Sequence, residues 1–303
     1  MNFDAVLIAG PTASGKSAMA AELAEHFHGA VINADSMQVY AEAPILTAQP
    51  DAAAKARAPH LLYGHVPARE AYSVARYGED AARALAEAKA MGRLPIFTGG
   101  TGLYFMALTE GLAEIPPIPP EVREGARSLL TQIGVAALHA RLAADDPKTA
   151  ARLKPSDPQR VLRAYEVWQA TGRPLADWQE QPGAPVLKNM RLAKFMANPQ
   201  RALLPARIEQ RFRRMVDQGA AQEAACLKNL DPALPAAKLL GLKQVLAWSE
   251  GRLGREEAIA LAVTATRQFA KRQLTWFRNQ MGDYVRIDPD DSNIITSLSH
   301  FVA

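Results

Sequence analysis

The segment Gly10–Ser17 carries the residue types of a diphosphate-binding loop. It reads GPTASGKS, follows the apolar run Ala5–Ala9 and precedes an alanine-rich stretch that favours a helix. Glycines in such a loop let successive backbone N–H groups point inward at an anion, beside the positive end of the helix dipole. The Lys16 ammonium can reach phosphate oxygens, and the Ser17 hydroxyl is a candidate Mg²⁺ ligand. The candidate diphosphate-binding residues are Gly10, Pro11, Thr12, Ala13, Ser14, Gly15, Lys16 and Ser17.

The loop predicts a bound diphosphate but does not by itself predict hydrolysis. An energy-transducing ATPase needs an acidic residue on a later strand, where it organises Mg²⁺ and water. The best later strand, LPIFT at 94–98, is followed by two glycines and no acid. We therefore expect transfer of a group to another molecule rather than a motor-type reaction.

Asp35 follows a second predicted strand, Ala30–Asn33, in the string NADSMQVY. The carboxyl ends of parallel strands line one crevice, so Asp35 is expected to face the same cleft as the phosphate loop. In that position a carboxylate can act as a general base on an acceptor. A helix N-cap is an equally good interpretation of Asp35 on position alone. The Gln38 amide could read a purine edge, or it could be an ordinary solvated side chain.

The string GGTGLY follows the third predicted strand. Its glycines permit close approach of the backbone, and Thr101 offers a hydroxyl to the predicted cleft. A tight turn between strand and helix is the alternative interpretation.

A basic stretch lies near the carboxyl end of the sequence. Thr264–Gln280 contains no acidic residue, and its aromatic residues Trp276 and Phe277 are expected to belong to the core. A basic helical stripe can neutralise the phosphates of a folded nucleic acid, although a plain surface helix would look similar. The basic side chains are Arg267, Lys271, Arg272 and Arg278.

Two further groups of polar residues are candidates for phosphate contacts. Arg207 and Arg211 are four residues apart and share a helical face, so one or both could hold the diphosphate. A solvated face is the alternative. Gln159, Arg160 and Arg163 follow a capping Asp-Pro pair and could grip a nucleic-acid backbone, or they could be an ordinary helix surface.

The order of predicted elements indicates an α/β fold with a helical insertion. Strands alternate with helices up to about residue 112, which favours a parallel sheet with helices on both faces. The proline cluster IPPIPP at 115–120 ends this pattern, and QPGAP at 181–185 ends the helical stretch that follows. Leu187–Ala197 could be a strand that returns to the sheet, and Leu204–Asn279 is again helical. We expect an α/β core of residues 1–115 and 187–303, interrupted by a helical domain at 116–186.

Composition limits the class of protein. The chain has 303 residues, of which 49% are hydrophobic and 22% charged, as in a globular protein. The formal charge of +4 is too small to identify a nucleic-acid binder. Cys226 is the only cysteine, which excludes an internal disulfide and cysteine-based zinc sites. With no apolar run of about 18 residues and no secretory signal at the N-terminus, we expect a cytoplasmic protein without a membrane segment.

Six strings together resemble the tRNA dimethylallyltransferase family. They are GPTASGKS, INADSMQVY, YSVARY, GGTGLY, DPQRVLRAYEV and TRQFAKRQLTWFR, and they follow in order from about Val6 to Arg278. The phosphate loop alone would leave many families open. The combination with ADSMQVY and the C-terminal string is highly specific.

The resemblance implies a fold and a reaction. The fold would be a P-loop NTPase-like parallel sheet flanked by helices, with an inserted helical tRNA-binding domain. The enzyme would transfer a dimethylallyl group from dimethylallyl diphosphate to the exocyclic amine of the adenosine 3′ of the anticodon, in tRNAs that read codons beginning with U. Mg²⁺ would assist at Ser17. The protein would be monomeric, with tRNA as its macromolecular partner.

The resemblance also implies roles for particular residues. Asp35 would accept the proton of the amine, with Thr101 near the reacting centre. Thr12–Ser17 would contact the donor, and Arg207 or Arg211 would help to hold its diphosphate. The residues implied in tRNA contact are Asp35, Ser36, Met37, Gln38, Thr101, Arg123, Gln159, Arg160, Val161, Leu162, Arg163, Arg267, Lys271, Arg272 and Arg278.

Other functions stay open on the sequence. A related prenyltransferase could act on free AMP or ADP, although the helical insertion and the basic C-terminal helix suit a macromolecular acceptor better. A P-loop kinase for a small molecule and a non-catalytic RNA-binding protein are the alternatives from other classes.

Overall fold

The computed structural model describes residues 3–290, which form two compact units. The first unit consists of the chain before Glu110 and after Pro185, and the second is Glu110–Pro185. The inserted unit thus begins a few residues before the predicted boundary at 116 and ends beside the predicted boundary at 186.

As far as α5, each strand is followed by one or two helices. The strands are β1 (Ala5–Ala9), β2 (Gly29–Asn33), β3 (His60–Leu61), β4 (Leu94–Gly99), β5 (Leu192–Ala197) and β6 (Val285–Ile287). The helices are α1 (Lys16–His26), α2 (Pro44–Thr47), α3 (Ala52–Arg57), α4 (Val74–Ala90), α5 (Gly102–Thr109), α6 (Pro120–Asp145), α7 (Pro147–Ala150), α8 (Pro158–Thr171), α9 (Leu175–Gln179), α10 (Leu204–Asp217), α11 (Ala220–Cys226), α12 (Leu242–Ser249) and α13 (Arg255–Gln280). A 3₁₀ helix covers Pro235–Lys238.

The first unit is built on a parallel sheet. Within the described residues the sheet has six strands in the order β3-β2-β4-β1-β5-β6, and every neighbouring pair is parallel. Every residue of β1 and β2 is buried, which explains why these strands read as continuous apolar runs rather than alternating ones. Apolar clusters lie on both faces of the sheet, one under α1 and one under α4 and α5. The expected α/β fold class is therefore confirmed.

The carboxyl ends of the three central strands are joined by hydrogen bonds beyond the sheet ladder. The Gly10 N–H donates to the Gly99 carbonyl at 3.2 Å, and the Ala34 N–H donates to the Thr98 carbonyl at 2.7 Å. The Thr101 N–H donates back to the Ala34 carbonyl at 3.2 Å. The loops after β1, β2 and β4 are therefore held together at one edge of the sheet.

The second unit is helical and has its own core. The long helix α6 bends at Gly134, whose φ of 76° interrupts the helical backbone. Its later half packs on α8, with Leu138, Val161 and Tyr165 in the shared apolar cluster. An all-helical insertion was the expectation from the sequence.

Short strands and helix breaks were the parts of the fold that the sequence did not predict. β5 returns to the sheet beside β1 as expected, but it begins at Leu192 rather than at 187. The edge strands β3 and β6 were not predicted. The expected helical stretch from 204 to 279 is divided into α10–α13 and a 3₁₀ turn. Among residues 3–290, none of the helices is both long enough and apolar enough to cross a membrane.

Candidate active site

The predicted phosphate loop, Gly10–Ser17, connects β1 to the start of α1. Gly15 adopts φ 92° immediately before α1 begins, and Ala13 adopts φ 61°. The Ser14 N–H donates to the Pro11 carbonyl at 3.2 Å, which closes the turn. A left-handed residue directly before the helix directs the first N–H groups of α1 toward the loop, where an anion can be bound.

Lys16 is the buried cation of this loop. The residue is only 8% exposed, and its ammonium donates to the Pro11 carbonyl at 3.2 Å. Burial lowers the pKa of Lys16 to about 8, while the nearby Asp35 charge acts in the opposite direction. The ammonium is therefore poised to gain from an anionic ligand, which would replace the hydration that it has lost.

Asp35 stands in a turn that its neighbours hold in shape. The Asn33 side chain accepts the Asp35 N–H and donates to the Asp35 carbonyl, both at 2.9 Å. One carboxylate oxygen, Oδ1, accepts the Met37 N–H at 3.0 Å. The carboxylate thus accepts one N–H of a local turn through one of its oxygens. No helix begins after Asp35, because the next helix is α2 at Pro44–Thr47, so the helix N-cap interpretation is wrong.

The turn of Asp35 is tied to the turn after β4. The Ser36 N–H donates to the Thr101 hydroxyl oxygen at 2.9 Å, and that hydroxyl donates to Ser36 Oγ at 3.1 Å. A Cβ atom on Gly100 would lie 3.1 Å from Asp35 Oδ2, so this oxygen lies against the β4 turn. Thr101 thus lies beside Asp35, and its hydroxyl holds the loop that carries the acid.

Arg211 extends from α10 to the phosphate loop. Its guanidinium donates to Thr12 Oγ1 at 3.0 Å and to the Thr47 carbonyl at 3.4 Å. Burial lowers its pKa, and the Asp35 charge again acts in the opposite direction. Arg207, one turn earlier, instead forms an ion pair with Asp290. Of the two arginines, Arg211 is the one that contacts the loop.

Three of the residues described above, Thr12, Asp35 and Arg211, line one cavity, whose volume is about 50 Å³. The remaining wall is mainly apolar and includes Met37, Leu46, Ile208, Phe212, Met215, Leu239, Leu240 and Phe269. The cavity therefore combines a cationic side chain, a carboxylate and an apolar surface.

The glycines of GGTGLY are required by close contacts with neighbouring elements. A Cβ atom on Gly99 would lie 2.0 Å from the Ala34 carbonyl oxygen, and one on Gly102 would lie 2.1 Å from the Trp276 ring. Trp276 therefore packs directly on the start of α5 and is half-buried, while its neighbour Phe277 is fully buried. These aromatic residues belong to the core side of α13, as expected.

Gln273 is a site residue that the sequence analysis missed. It is buried on α13, and its amide bonds to both the phosphate loop and the β4 turn. A glutamine within the basic stretch gave a weak signal. Gln273 lies one turn before Trp276, on the face of α13 that meets the phosphate loop and the start of α5.

Other predicted site residues of the first unit lie on or near this end of the molecule. The Gln38 amide nitrogen donates to the carbonyls of Thr47 and Ala48, at 3.0 and 2.8 Å, so its N–H groups hold the end of α2. Four basic side chains in the later part of α13 are exposed, and no ion pair within residues 3–290 involves any of them: Arg267, Lys271, Arg272 and Arg278. They are therefore available to an external polyanion.

The predicted contacts of the second unit lie near the start of two helices. Gln159 and Arg160 are exposed at the start of α8, where Asp157 caps the helix and pairs with Arg160 at 3.5 Å. Burial lowers the pKa of Arg163, and the charge of exposed Arg123 acts in the same direction. Leu162 is half-buried.

Val161 requires a correction. Its side chain is 0% exposed in the core between α6 and α8, so it cannot present a surface to RNA. The helical period places it inward, one position from the exposed Arg160.

Comparison with known proteins identifies the family. A family model described as IPP transferase matches residues 38–280. The chain belongs to this family. A second model, described as isopentenyl transferase, matches residues 3–55. The resemblance that the sequence strings carried is confirmed, and so is the expectation of a transferase enzyme.

Relatives and solved structures of the family agree over nearly the whole chain. The tRNA dimethylallyltransferase of Agrobacterium fabrum is 49% identical over 291 residues, which cover 95% of this chain and 98% of the relative. The tRNA dimethylallyltransferase of Rhodopseudomonas palustris is 51% identical over 290 residues, which cover 95% and 90%. The crystal structure of a tRNA isopentenylpyrophosphate transferase from Bacillus halodurans matches with a TM-score of 0.68 at 32% identity, covering 99% of this chain and 95% of that one. A eukaryotic dimethylallyltransferase acting on tRNA matches with a TM-score of 0.81 at 26% identity, covering 99% and 77%.

Proposed function

We propose that this IPP transferase moves a dimethylallyl group from dimethylallyl diphosphate to the N6 amine of an adenosine in tRNA. The acceptor would be the adenosine 3′ of the anticodon in tRNAs that read codons beginning with U. One observation carries the proposal: the phosphate loop, Arg211 and Asp35 line the same cavity. A site for the leaving group and a base within one cavity are what a displacement at carbon requires.

The donor would bind with its diphosphate at the loop and its prenyl chain on the apolar wall. Lys16, Arg211 and the N–H groups at the start of α1 supply positive charge for the diphosphate. Leu46 and Phe269 belong to the apolar surface that suits a short hydrocarbon chain. Because negative charge grows on the diphosphate as it leaves, these fixed cations stabilise the transition state more than the ground state.

The residues present also fit a bound Mg²⁺ ion. Ser17 is exposed at the start of α1, so its hydroxyl is accessible beside the loop. No group of three His, Cys, Asp or Glu side chains within residues 3–290 could hold a metal by itself. This agrees with Mg²⁺, which binds through few protein ligands together with substrate phosphates. The ion would add positive charge to the diphosphate and so improve it as a leaving group.

Asp35 would remove a proton from the attacking amine. The amine nitrogen forms a bond to the first carbon of the prenyl chain, the bond from that carbon to oxygen breaks, and diphosphate departs with the electron pair. The amine proton passes to Asp35, for which Oδ2 is the better placed oxygen because Oδ1 accepts the Met37 N–H. The exocyclic amine is a weak nucleophile, so a general base here is worth about 10²–10⁴-fold in rate.

The exposed basic side chains support a macromolecular acceptor. The face of α13 with Arg267 and Lys271 can neutralise backbone phosphates. The second unit adds further candidate contacts, which are Arg123, Gln159, Arg160 and Arg163. The target base would leave its stack to reach Asp35, at a cost of a few kcal/mol that backbone contacts can offset. A tRNA acceptor also implies a cytoplasmic enzyme, and we expect it to act as a monomer.

The test is prenyl transfer itself. Unmodified tRNA is incubated with the protein, Mg²⁺ and dimethylallyl diphosphate, and its nucleosides are analysed by mass spectrometry. The proposal predicts N6-isopentenyladenosine, absent when the anticodon-loop adenosine is replaced by guanosine. Transfer to AMP or ADP but not to tRNA would support the mononucleotide alternative. Phosphate transfer from ATP without prenylation would support a P-loop kinase.

A further inference from the structure

Gln273 connects helix α13 to both the phosphate loop and the turn after β4. The side chain is 6% exposed, which is unusual for glutamine. Its Oε1 accepts the Thr12 N–H at 2.9 Å, and its Nε2 donates to the Gly100 carbonyl at 2.8 Å. Both ends of the amide are therefore used, and the two bonds fix its orientation because one partner is a donor and the other an acceptor.

The two partners of Gln273 belong to the two reacting sides of the site. Thr12 lies in the phosphate loop, and its hydroxyl accepts from Arg211. Gly100 lies in the β4 turn, where the position of its absent Cβ is 2.3 Å from Gln273 Nε2 and 3.1 Å from Asp35 Oδ2. The amide thus spans the short gap between the loop that would hold the leaving group and the turn beside the base.

The N–H of Thr12 is already bonded to Gln273 rather than directed at a ligand. In a phosphate loop the backbone N–H groups are the natural donors to the diphosphate, and here one of them donates to a protein side chain. That bond sets the direction of the Thr12 peptide and therefore the orientation of the loop beside it. Few other side chains could make both contacts, because the position requires one acceptor and one donor on the same terminal group.

We propose that Gln273 is a positioning residue that sets the separation between the phosphate loop and Asp35. This inference rests on the proposed function, and it concerns how the two reactants are aligned rather than which reactants bind. Gln273 does not contact the reacting atoms. A misplacement of about 1 Å between reacting groups lowers a rate by about 10²-fold.

The experiment compares two substitutions of Gln273 with the same substitutions of Gln268. Gln268 is exposed on the same helix, so Gln268→Met and Gln268→Glu control for helix propensity and charge. Single-turnover transfer from dimethylallyl diphosphate to tRNA is measured at saturating concentrations of both, together with tRNA binding and the melting temperature. We expect Gln273→Met to lower the rate of transfer by about 10²-fold with tRNA affinity unchanged, while Gln268→Met keeps the wild-type rate.

The pH dependence of the Gln273→Glu variant distinguishes a positioning role of Gln273 from a general contribution to stability. A protonated glutamic acid can reproduce both bonds, because its O–H donates to the Gly100 carbonyl and its C=O accepts the Thr12 N–H. Burial favours this neutral form, so it is populated at accessible pH. The rate of Gln273→Glu divided by the wild-type rate at the same pH is expected to rise as the pH falls from 9 to 6. The ratio for Gln268→Glu should stay flat.

The outcomes separate this inference from the proposed function. If the wild type does not prenylate tRNA, the proposed function and this inference both fail. If the wild type is active and Gln273→Met retains its rate within about twofold, or the pH ratio of Gln273→Glu is flat, this inference alone is overturned. Should Gln273→Met fail to fold, the pH ratio of Gln273→Glu decides.

Discussion

The guanidinium of Arg211 donates a hydrogen bond to the hydroxyl of Thr12 at 3.0 Å, although the two residues are 199 positions apart. Helix α10 therefore delivers a fixed cation to a loop that is formed near the start of the chain. The same guanidinium bonds to the Thr47 carbonyl, which holds it in place before any ligand arrives. A pre-positioned cation loses little conformational freedom when an anion binds.

Arg211→Ala is expected to weaken donor binding and slow transfer. The substitution removes a positive charge that would attract the departing diphosphate more strongly than the bound donor. We therefore expect kcat to fall by about 10²-fold and KM for dimethylallyl diphosphate to rise. Steady-state kinetics with tRNA in excess measures both. Arg213→Ala is the matched control, because Arg213 lies on the same helix and pairs with Glu209 and Glu256 at the surface. Equal kinetics for the two variants would contradict the role of Arg211.

Arg207→Ala is expected to lower kcat less than Arg211→Ala does. Its guanidinium is paired with Asp290 rather than with the phosphate loop. We predict that kcat changes by less than about tenfold, and the same assay measures it. A loss as large as that of Arg211→Ala would show that Arg207 exchanges its ion pair for the diphosphate.

The lowered pKa of Lys16 predicts how kcat/KM for dimethylallyl diphosphate depends on pH. Its pKa is lowered to about 8 by burial, so the free enzyme holds the ammonium below that pH and loses it above. Because the charged form binds the diphosphate, kcat/KM for the donor should fall about tenfold per pH unit well above 8. The bound diphosphate favours the ammonium, so kcat at saturation should fall only at higher pH. Identical pH profiles for the two parameters would contradict this assignment, and Lys16→Arg should shift the fall in kcat/KM to more alkaline pH.

Gly102→Ala is expected to destabilise the first unit. A Cβ atom at this position would lie 2.1 Å from the Trp276 ring, so the ring or α5 must move. Overpacking of this kind costs about 1–3 kcal/mol in the free energy of unfolding. Gly78→Ala is the control, because a Cβ atom at Gly78 meets nothing within 4 Å and alanine favours the helix by about 0.5–1 kcal/mol. Urea unfolding of both variants should give shifts of opposite sign.

The exposed face of α13 predicts the salt dependence of RNA binding. Each of Arg267 and Lys271 changed to alanine should reduce the slope of log affinity against log salt by about 0.7–0.9. Binding to unmodified tRNA, titrated at several salt concentrations, measures the slope. Arg255→Ala is the control, because Arg255 begins the same helix but pairs with Asp217. An unchanged slope in both face variants would place the RNA elsewhere.

Local patterns predicted the parts of the site whose residues are close in sequence. The phosphate loop could be predicted because strand, glycine turn and helix follow one another within Ala5–His26. The position of Asp35 followed from the rule that parallel strands end at one edge of the sheet. The register of β2 beside β4 then brings it near Thr101 without further information.

Contacts between distant segments could not be predicted in the same way. The partners of Gln273 are 261 and 173 residues away, and no periodicity within α13 identifies them. β3 and β6 have two and three residues, too few to show an alternating pattern. Val161 was an avoidable error, since the helical period of α8 places it with Ala164 and Tyr165 on the buried face.

The rate of prenyl transfer by Asp35→Asn shows most directly whether this carboxylate acts as the base. Asparagine has nearly the shape of aspartate and can still accept the Met37 N–H, but it cannot take up a proton. We predict that the rate of single-turnover transfer to tRNA falls by at least about 10²-fold in Asp35→Asn, while the dissociation constant for tRNA changes by less than about threefold. The same result is expected for Asp35→Ala. Asp51→Asn, at the exposed cap of α3, should retain the wild-type rate. A rate for Asp35→Asn within a few-fold of the wild type would contradict the role of this carboxylate as the base.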